Sequence, residues 1–154
     1  MPQLNRKDLI GFMHGHVDAL AASDPERVPV HGFVKFTTQT KELPLGEGVW
    51  RKKIVRVPGG QYFADPLTGQ VCHFNAIKID GESALIWIRL KIGDAKIAEI
   101  ETLIVPENKF MFNAAVAGEP RSIWTDVLPE SERRPREELL RVMNLYMEGI
   151  EQGT

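Results

Sequence analysis

Two histidines stand one residue apart in the first amphipathic segment of the chain, which runs from about residue 3 to residue 23. Apolar residues such as Leu9 and Val17 recur there at helical spacing and define one face. At 100° per residue, His16 lies about 40° from the centre of that face and His14 about 120° from it. His16 is therefore predicted to point into the core. It is either a histidine that hydrogen-bonds an acceptor or an acid/base group in a pocket.

A second candidate set lies in two neighbouring segments of alternating pattern, residues 82–105. A three-residue turn between them keeps each face consistent, and it predicts Arg89 opposite Glu99 and Trp87 opposite Glu101. The face that carries these four residues is either a solvated surface with cross-strand ion pairs or a pocket wall. In the second case Arg89 steadies a carboxylate and Glu101 is a base, because a carboxylate held beside an indole and away from water has a raised pKa.

A third set belongs to the segment of residues 70–79 and the loop before it. His73 alternates there with mostly apolar residues, which predicts that it is at least half buried. Tyr62 and Asp65 precede it, where the mouth of a pocket would lie, although Asp65 before a proline is also typical of a turn. A histidine, a carboxylate and a tyrosine around an apolar cavity suit proton abstraction next to a carbonyl or hydroxyl.

Several other classes of chemistry find no support. His14 and His16 point to different helix faces, no zinc-type histidine spacing occurs, and neither a dinucleotide-binding nor a phosphate-loop motif is present. The single cysteine, Cys72, excludes an internal disulfide and is expected to be a small buried residue. We expect no metal, no nucleic-acid partner and no membrane span, because the formal charge is only −2 and no long apolar run occurs. These features favour a cytoplasmic protein.

The elements that must position these residues follow a simple order. A helix comes first, then strands that include 30–37, then a meander over 70–79, 82–92 and 96–105, and a helix over 130–154. No strand–helix–strand alternation occurs, which favours an α+β fold with an antiparallel sheet in a single domain, 1–154. The chain from 58 to 69 is predicted to be loop, and that from 106 to 129 irregular. One buried sheet face is expected, formed by Ile86, Ile88, Leu90, Ile100 and Ile104.

Two motifs connect this layout with a known family. The turn and strand Gly93–Glu99, GDAKIAE, and the string DPLTGQV at 65–71 resemble sequences of the nuclear transport factor 2-like (SnoaL-like) superfamily. The resemblance implies a cone: a curled antiparallel sheet wrapped on the N-terminal helix, with the C-terminal helix as an addition. His16 stands where relatives often carry tyrosine. The superfamily includes isomerases, dehydratases, hydrolases, cyclases and aldol-type lyases, and also binding domains without catalysis.

The function that this resemblance implies is acid/base catalysis without a cofactor on a small apolar or aromatic substrate. A lyase, a dehydratase or an isomerase would qualify, including one that performs aldol-type cleavage. Glu101 or His73 is the expected base, His16 or Tyr62 the proton donor and Arg89 the orienting charge. The expected substrate-binding residues are Trp50, Asp65, Phe74 and Trp87. The alternative is a non-catalytic module for ligand binding or dimerisation. A homodimer is expected in either case, and the final helix is expected to cover either its own sheet or a surface of the partner subunit.

Overall fold

The computed structural model describes residues 4–109, 112–117, 119 and 121–153. The helices in this part of the chain are α1 (Arg6–Ala21), α2 (Ala114–Ala117), α3 (Ser122–Thr125) and α4 (Arg136–Gln152). The strands are β1 (Val30–Thr38), β2 (Lys41–Glu42), β3 (Ile54–Arg56), β4 (Gln61–Asp65), β5 (Gln70–Ile79), β6 (Glu82–Gly93) and β7 (Lys96–Pro106). Short 3₁₀ turns cover Pro25–Arg27, Gly48–Arg51, Glu107–Lys109 and Glu130–Glu132.

Helix α1 begins at a capping box. The Asn5 side chain accepts from the backbone N–H groups of Lys7 and Asp8, and the Asp8 carboxylate accepts from the N–H of Asn5. The helix ends before Ser23, whose φ of 53° leaves the helical region. Between these ends one face is buried, and its residues are Leu9, Met13, His16, Val17, Ala19 and Leu20. The sequence prediction that His16 points into the core is therefore confirmed.

The seven strands form one sheet in the order β2-β1-β7-β6-β5-β3, with β4 paired to β5 beyond the end of β3. Strands β5, β6 and β7 are antiparallel as expected, but β1 runs parallel to β7. The sheet is therefore mixed, and the expectation of a purely antiparallel sheet needs this correction. Parallel pairing needs a long connection between the two strands, and the five intervening strands supply it.

The hairpin between β6 and β7 departs from the predicted register. Its turn has two residues, Asp94 and Ala95, both with positive φ (49° and 56°), as in a type I′ turn. A register shift then follows, and beyond it Arg89 lies opposite Glu101 and Lys91 opposite Glu99. The predicted pairs, Arg89 with Glu99 and Trp87 with Glu101, are wrong by two residues. The faces are still as predicted, because the shift restores the alternation.

The inner face of the sheet, which is turned toward α1, holds the core. Ile86, Ile88, Leu90 and Ile100 are buried there, and Ile104 is partly buried and packs on the same cluster. The predicted apolar face thus exists. The structure adds the short strands β2 and β4 to the prediction, and β4 occupies the segment that was expected to be loop. Tyr62 and Ala64 of β4 pack against the core, which explains why this short polar-looking strand forms.

The chain divides into two compact units, Met1–Trp124 and Thr125–Thr154. The first contains the sheet, and α2 lies against β5 and β6. The second contains α4, whose apolar side chains are all half exposed, with exposed fractions between 50% and 61%. These are Leu139, Leu140, Val142, Met143, Leu145, Tyr146, Met147 and Ile150. In the described part of the chain, no helix combines the length and apolar character needed to cross a membrane.

Candidate functional site

His16 is the most deeply buried ionisable group of α1, with only 1% of its surface exposed. Its ring meets the Trp50 ring edge to face, with 5.4 Å between centroids and 87° between planes. Neither ring nitrogen has a hydrogen-bond partner among the described residues, so the expected acceptor is not there. Burial without a partner disfavours the charged form and lowers the pKa of His16 to about 4. The ring is therefore neutral at pH 7.

Trp50 and Thr102 also carry buried polar atoms that have no hydrogen-bond partner among the described residues. Trp50 is 2% exposed, in the 3₁₀ turn Gly48–Arg51, and its indole N–H has no partner among the described residues. The Thr102 hydroxyl, on the inner face of β7, likewise lacks one. Buried polar groups are almost always hydrogen-bonded, so three of them on the inner side of one sheet are unusual.

A stack of three aromatic rings forms where β4 crosses α1. Tyr62 lies opposite His73 in the β4–β5 ladder, and their rings stack at 4.3 Å with 21° between planes. His14 also meets Tyr62 edge to face, at 4.9 Å. The inward position of His73 is confirmed, and the structure brings it together with Tyr62. His14, which the helical angle placed toward solvent or the rim, is exposed.

The protonation of His73 follows from its partner. Its Nδ1 lies 3.1 Å from the Gln61 carbonyl oxygen, which can only accept, so Nδ1 carries the hydrogen. Burial lowers the pKa of His73 to about 4, with smaller contributions from His14 and Arg56 in the same direction. The imidazole is thus neutral at pH 7, and its Nε2 is a hydrogen-bond acceptor and a base.

A charged pair stands beside this stack. Arg56 of β3 forms an ion pair with Asp18 of α1, and both side chains are about half exposed. Burial raises the pKa of Tyr62, with Arg56 acting to lower it and Asp18 to raise it. The Tyr62 phenol therefore keeps its proton at neutral pH and can donate a hydrogen bond.

His73 faces a small cavity between α1 and the sheet. Its volume is about 10 Å³, which is roughly the space of one water molecule. Apart from His73, its walls are mostly aliphatic, and Arg56 and Asn75 supply the other polar groups. The lining residues are Val17, Leu20, Ile54, Arg56, His73, Asn75, Ile77, Ile86 and Ile88.

The loop before β4 contacts two residues that line this cavity, Asn75 and His73. The Asn75 amide donates to the carbonyl oxygens of Val57 (2.8 Å) and Gly59 (3.2 Å), which ties the loop to β5. Gly60 has a φ of +93°, and a Cβ there would lie 2.7 Å from both His73 Cε1 and Asn75 Cγ. Only glycine therefore fits at this position without moving the histidine.

The remaining predicted catalytic residues lie on the outer face of the sheet. Arg89 donates to Glu101 (3.0 Å), to Glu99 (2.8 Å) and to Gln70 (3.1 Å). Since Ile88 of the same strand faces the core, Arg89 and Glu101 point away from His16 and His73. These contacts match the alternative in which the residues form cross-strand ion pairs.

The predicted substrate-binding residues are divided between the two faces. Trp50 belongs to the core, whereas Phe74 and Trp87 lie opposite each other on the outer face. Asp65 accepts from the Leu67 N–H and the Thr68 hydroxyl, as in the turn that was its alternative interpretation. Cys72 is only partly buried and lies opposite Arg89 on the outer face, rather than in the core.

Sequence reasoning missed Arg56, Asp18 and Asn75 as members of the site around His73 between α1 and the sheet, which we call the inner site. A usable signal existed for Arg56, because period-2 alternation from the apolar Ile54 places it on the same face. The pairing of Arg56 with Asp18 depends on how β3 meets α1, and no local pattern contains that information.

Grooves elsewhere on the described part of the chain do not contain the histidines. One, of about 380 Å³, lies between the turns at 66–69 and 94–95, and the ionisable residue in its described lining is Asp94. The second, about 240 Å³, lies on the outer face around Arg89 and Glu101. Among the residues that the structure describes, no group of three or more histidine, cysteine, aspartate or glutamate side chains is placed to hold a metal ion.

Solved structures of known proteins share this fold. A nuclear transport factor 2-like protein of unknown function from Cytophaga hutchinsonii is 14% identical, and the match covers 67% of this chain and 92% of that one, with a TM-score of 0.50. For a candidate ketosteroid isomerase from Kribbella flavida the identity is 9%, the coverage 83% and 95%, and the TM-score 0.53. A de novo designed protein with a curved sheet matches at 16% identity, 69% and 92% coverage and a TM-score of 0.52.

No protein-family model and no curated protein matches the chain. The solved structures nevertheless show that the fold is nuclear transport factor 2-like, as the sequence motifs implied. At these identities the likeness concerns the fold alone. A designed protein among the matches illustrates that the curved sheet does not carry a function with it.

Proposed function

We propose that this nuclear transport factor 2-like fold serves a cofactor-independent acid/base enzyme, a lyase, dehydratase or isomerase, for a small apolar or aromatic substrate. One observation carries the proposal: His73 is neutral, with Nδ1 fixed on the Gln61 carbonyl, and it lines a mostly aliphatic cavity beside a guanidinium. A base in apolar surroundings and a nearby positive charge suit proton abstraction that leaves an oxyanion.

Each residue of the inner site receives a role. His73 Nε2 takes a proton from the carbon next to a carbonyl, the electron pair of the C–H bond forms a C=C bond, and the carbonyl π pair moves to the oxygen to give an enolate. Arg56 stabilises the resulting negative charge, whereas the sequence had suggested Arg89 as the orienting charge. Tyr62, protonated and stacked on His73, donates a proton to the enolate, after which solvent reprotonates the phenolate and takes up the proton held by His73. Arg89, Glu101, Trp87 and Phe74 receive no catalytic role, because they lie on the outer face.

Substrate entry requires the mouth of the cone to open, because the cavity beside His73 has room for about one water molecule. The contacts that hold it closed are the Arg56–Asp18 ion pair and the loop that Asn75 anchors. The ion pair is about half exposed, and Asn75 is buried beside the cavity. Separation of these few polar contacts is the step that admits a substrate.

Proton abstraction can be tested before the natural substrate is identified. Cyclohexanone and acetophenone are incubated with the protein in D₂O, and deuterium entry at the carbon next to the carbonyl is followed by NMR. We expect exchange above the buffer rate, and a loss of about 10²-fold or more in His73→Gln. His31→Gln is the matched control, since His31 contacts the Gly93 carbonyl away from the cavity. Equal exchange in His73→Gln and the parent, or none above buffer, contradicts the proposal.

A non-catalytic ligand-binding module is the second candidate. The observation in its favour is the small size of the cavity, which leaves the cone almost completely packed. Such a module would bind the same ketones, and His73→Gln would alter their affinity. The parent protein would then show saturable binding without any exchange above the buffer rate.

A further inference from the structure

The side chain of Arg56, which the proposed mechanism uses to stabilise an oxyanion, is held by a single contact. Its Nη1 donates to the Asp18 carboxylate, and no other residue in the described part of the chain forms a hydrogen bond or an ion pair with the guanidinium. The backbone beside it is fixed, because the Asn75 amide donates to the carbonyl oxygen of the next residue, Val57. An arginine side chain on a fixed backbone still keeps several rotatable bonds. The contact with Asp18 therefore decides where the charge of Arg56 lies.

Asp18 is the rigid member of this pair. It belongs to α1 and directly follows Val17, which is buried and lines the cavity beside His73. The buried face of α1 fixes the helix, and the aspartate side chain is short. Arg56, in contrast, is the last residue of the three-residue strand β3, which lies at the end of the sheet beside β5. Asp18 is thus the anchor, and Arg56 is the group that it positions.

The contact leaves Arg56 with donors for an oxyanion. Only Nη1 is engaged, and Nε and Nη2 have no partner among the described residues. The guanidinium lines the cavity together with His73, and its charge reaches that ring. Burial is the main cause of the lowered pKa of His73, and Arg56 adds to it. Donors that are already in place stabilise a developing charge without reorienting during the reaction, an advantage that a guanidinium turned into solvent would lose.

We infer that Asp18 is a positioning residue that holds Arg56 at the cavity, where the negative charge of the enolate develops. The inference rests on the proposed function and deepens it, because it names the residue that assembles the closed site. The ion pair that separates to admit a substrate must then form again before proton abstraction. Asp18 is not among the residues that line the cavity, so its effect on the reaction passes through Arg56.

A double-mutant cycle of Asp18→Asn and Arg56→Gln tests this role, with deuterium exchange of cyclohexanone in D₂O as the assay. Asp18→Asn should lower the saturated exchange rate about 5-fold, which corresponds to about 1 kcal/mol, the strength of a good exposed ion pair. The half-saturating ketone concentration should not rise, since Asp18 does not contact the substrate. In the Arg56→Gln background the same substitution should have no effect. Asp80→Asn is the matched control, because it removes a similarly exposed ion pair, with Lys52, outside the cavity lining.

The order of the guanidinium can also be measured without turnover. The Arg56 Nε–H NMR signal is assigned by its loss in Arg56→Gln, and its heteronuclear NOE reports motion of the side chain. We expect an ordered signal in the parent and in Asp80→Asn, and a mobile one in Asp18→Asn. Asp18 and Arg56 are about half exposed, so both variants should fold.

Three outcomes overturn the inference: an unchanged exchange rate in Asp18→Asn, an equal loss in the two backgrounds, or a guanidinium that stays ordered without the carboxylate. In each of them, exchange that depends on His73 leaves the proposed enzyme intact. Exchange that is absent from the parent, or that Arg56→Gln does not lower, contradicts the proposed function itself, and the role of Asp18 is then refuted with it.

Discussion

The two buried histidines make the stability of this protein dependent on acid. Their pKa values are about 4 in the folded chain and about 6.5 when unfolded, because burial penalises the charged ring. Between pH 4 and pH 6.5 the two histidines bind protons in the unfolded chain but not in the folded chain. The contribution of the two histidines to the free energy of unfolding is therefore full above pH 6.5, falls as the pH drops, and levels off below about pH 4.

Replacement of His16 by phenylalanine should remove its share of this loss. A shift from 6.5 to about 4 corresponds to about 3 kcal/mol per histidine between pH 7 and pH 4. Urea unfolding at both pH values should show a decrease that is smaller by that amount in His16→Phe than in the parent. Met13→Leu, a neighbour that does not titrate, should keep the parent's dependence. An unchanged decrease in His16→Phe would show that this ring is not a buried neutral histidine.

Single residues illustrate what local pattern can and cannot predict. Helical angle alone placed His16 inside and His14 toward solvent or the rim, and the structure has His16 buried and His14 exposed. The expected acceptor for His16 was wrong, because the partner of a core side chain depends on which strands cross the helix. Arg56 became a site residue for the same reason, through its contact with Asp18 of α1.

At the scale of elements, Gly60 in the loop before β4 lies in close contact with His73, and a substitution at Gly60 tests that contact. Gly60→Ala should destabilise the protein by about 1–3 kcal/mol more than Gly81→Ala. The two glycines share a φ of +93°, but a Cβ on Gly81 meets no atom within 4 Å, whereas one on Gly60 meets His73 and Asn75. The difference thus measures the contact rather than the backbone strain. Thermal or urea unfolding of both variants is the measurement, and equal losses would exclude the close approach.

The inner face of β6 and β7 supports a second element-scale prediction. Ile88→Asp should cost about 3–5 kcal/mol, because a carboxylate would be buried among aliphatic side chains without a partner. Val105→Asp introduces the same charge on the outer side of β7, where 38% of the residue is exposed, and should cost less than about 1 kcal/mol. Chemical denaturation compares the two. Similar losses would mean that the assigned faces are wrong.

The meander shows why faces are easier to predict than registers. The alternation of apolar residues in β6 and β7 identified the inner face correctly. It did not distinguish a three-residue turn from a two-residue turn followed by a bulge, since both keep the alternation in phase. Only the pairing of Arg89 with Glu101 separates them, and that pairing depends on the local twist after Asp94 and Ala95.

At the scale of the molecule, we propose a homodimer in which α4 takes part. Leu139, Met143, Tyr146 and Ile150 follow one another at spacings of four, three and four residues, as in a helix-pairing seam, and all are half exposed. Light scattering at micromolar concentration should give about twice 17.3 kDa. Met143→Glu should reduce the mass to that of one chain, whereas Asn144→Glu, on the polar side of the helix, should not. A parent mass of one chain would refute the dimer.

The overall architecture was partly accessible from the sequence. The helix, the meander and the motifs at 65–71 and 93–99 implied the cone. The sequence could not show which face of the sheet is concave, because both faces of the meander carry large side chains. That choice is made when α1 packs on one side, and it places His73 inside and Arg89 outside.

The parallel pairing of β1 with β7 also has a consequence for how the chain acquires this structure. Thr37 and Glu101 are partners in that ladder although they lie 64 positions apart. During synthesis from the N-terminus, β1 therefore leaves the ribosome long before its neighbour exists, and only the two-residue strand β2 can pair with it early. The intervening chain must lose conformational entropy before the two distant strands can pair. The attachment of β1 to β7 should therefore be a late and slow event in folding. Until then Val30–Thr38 presents an unpaired strand edge, which makes this segment the part of the nascent chain most in need of protection from aggregation.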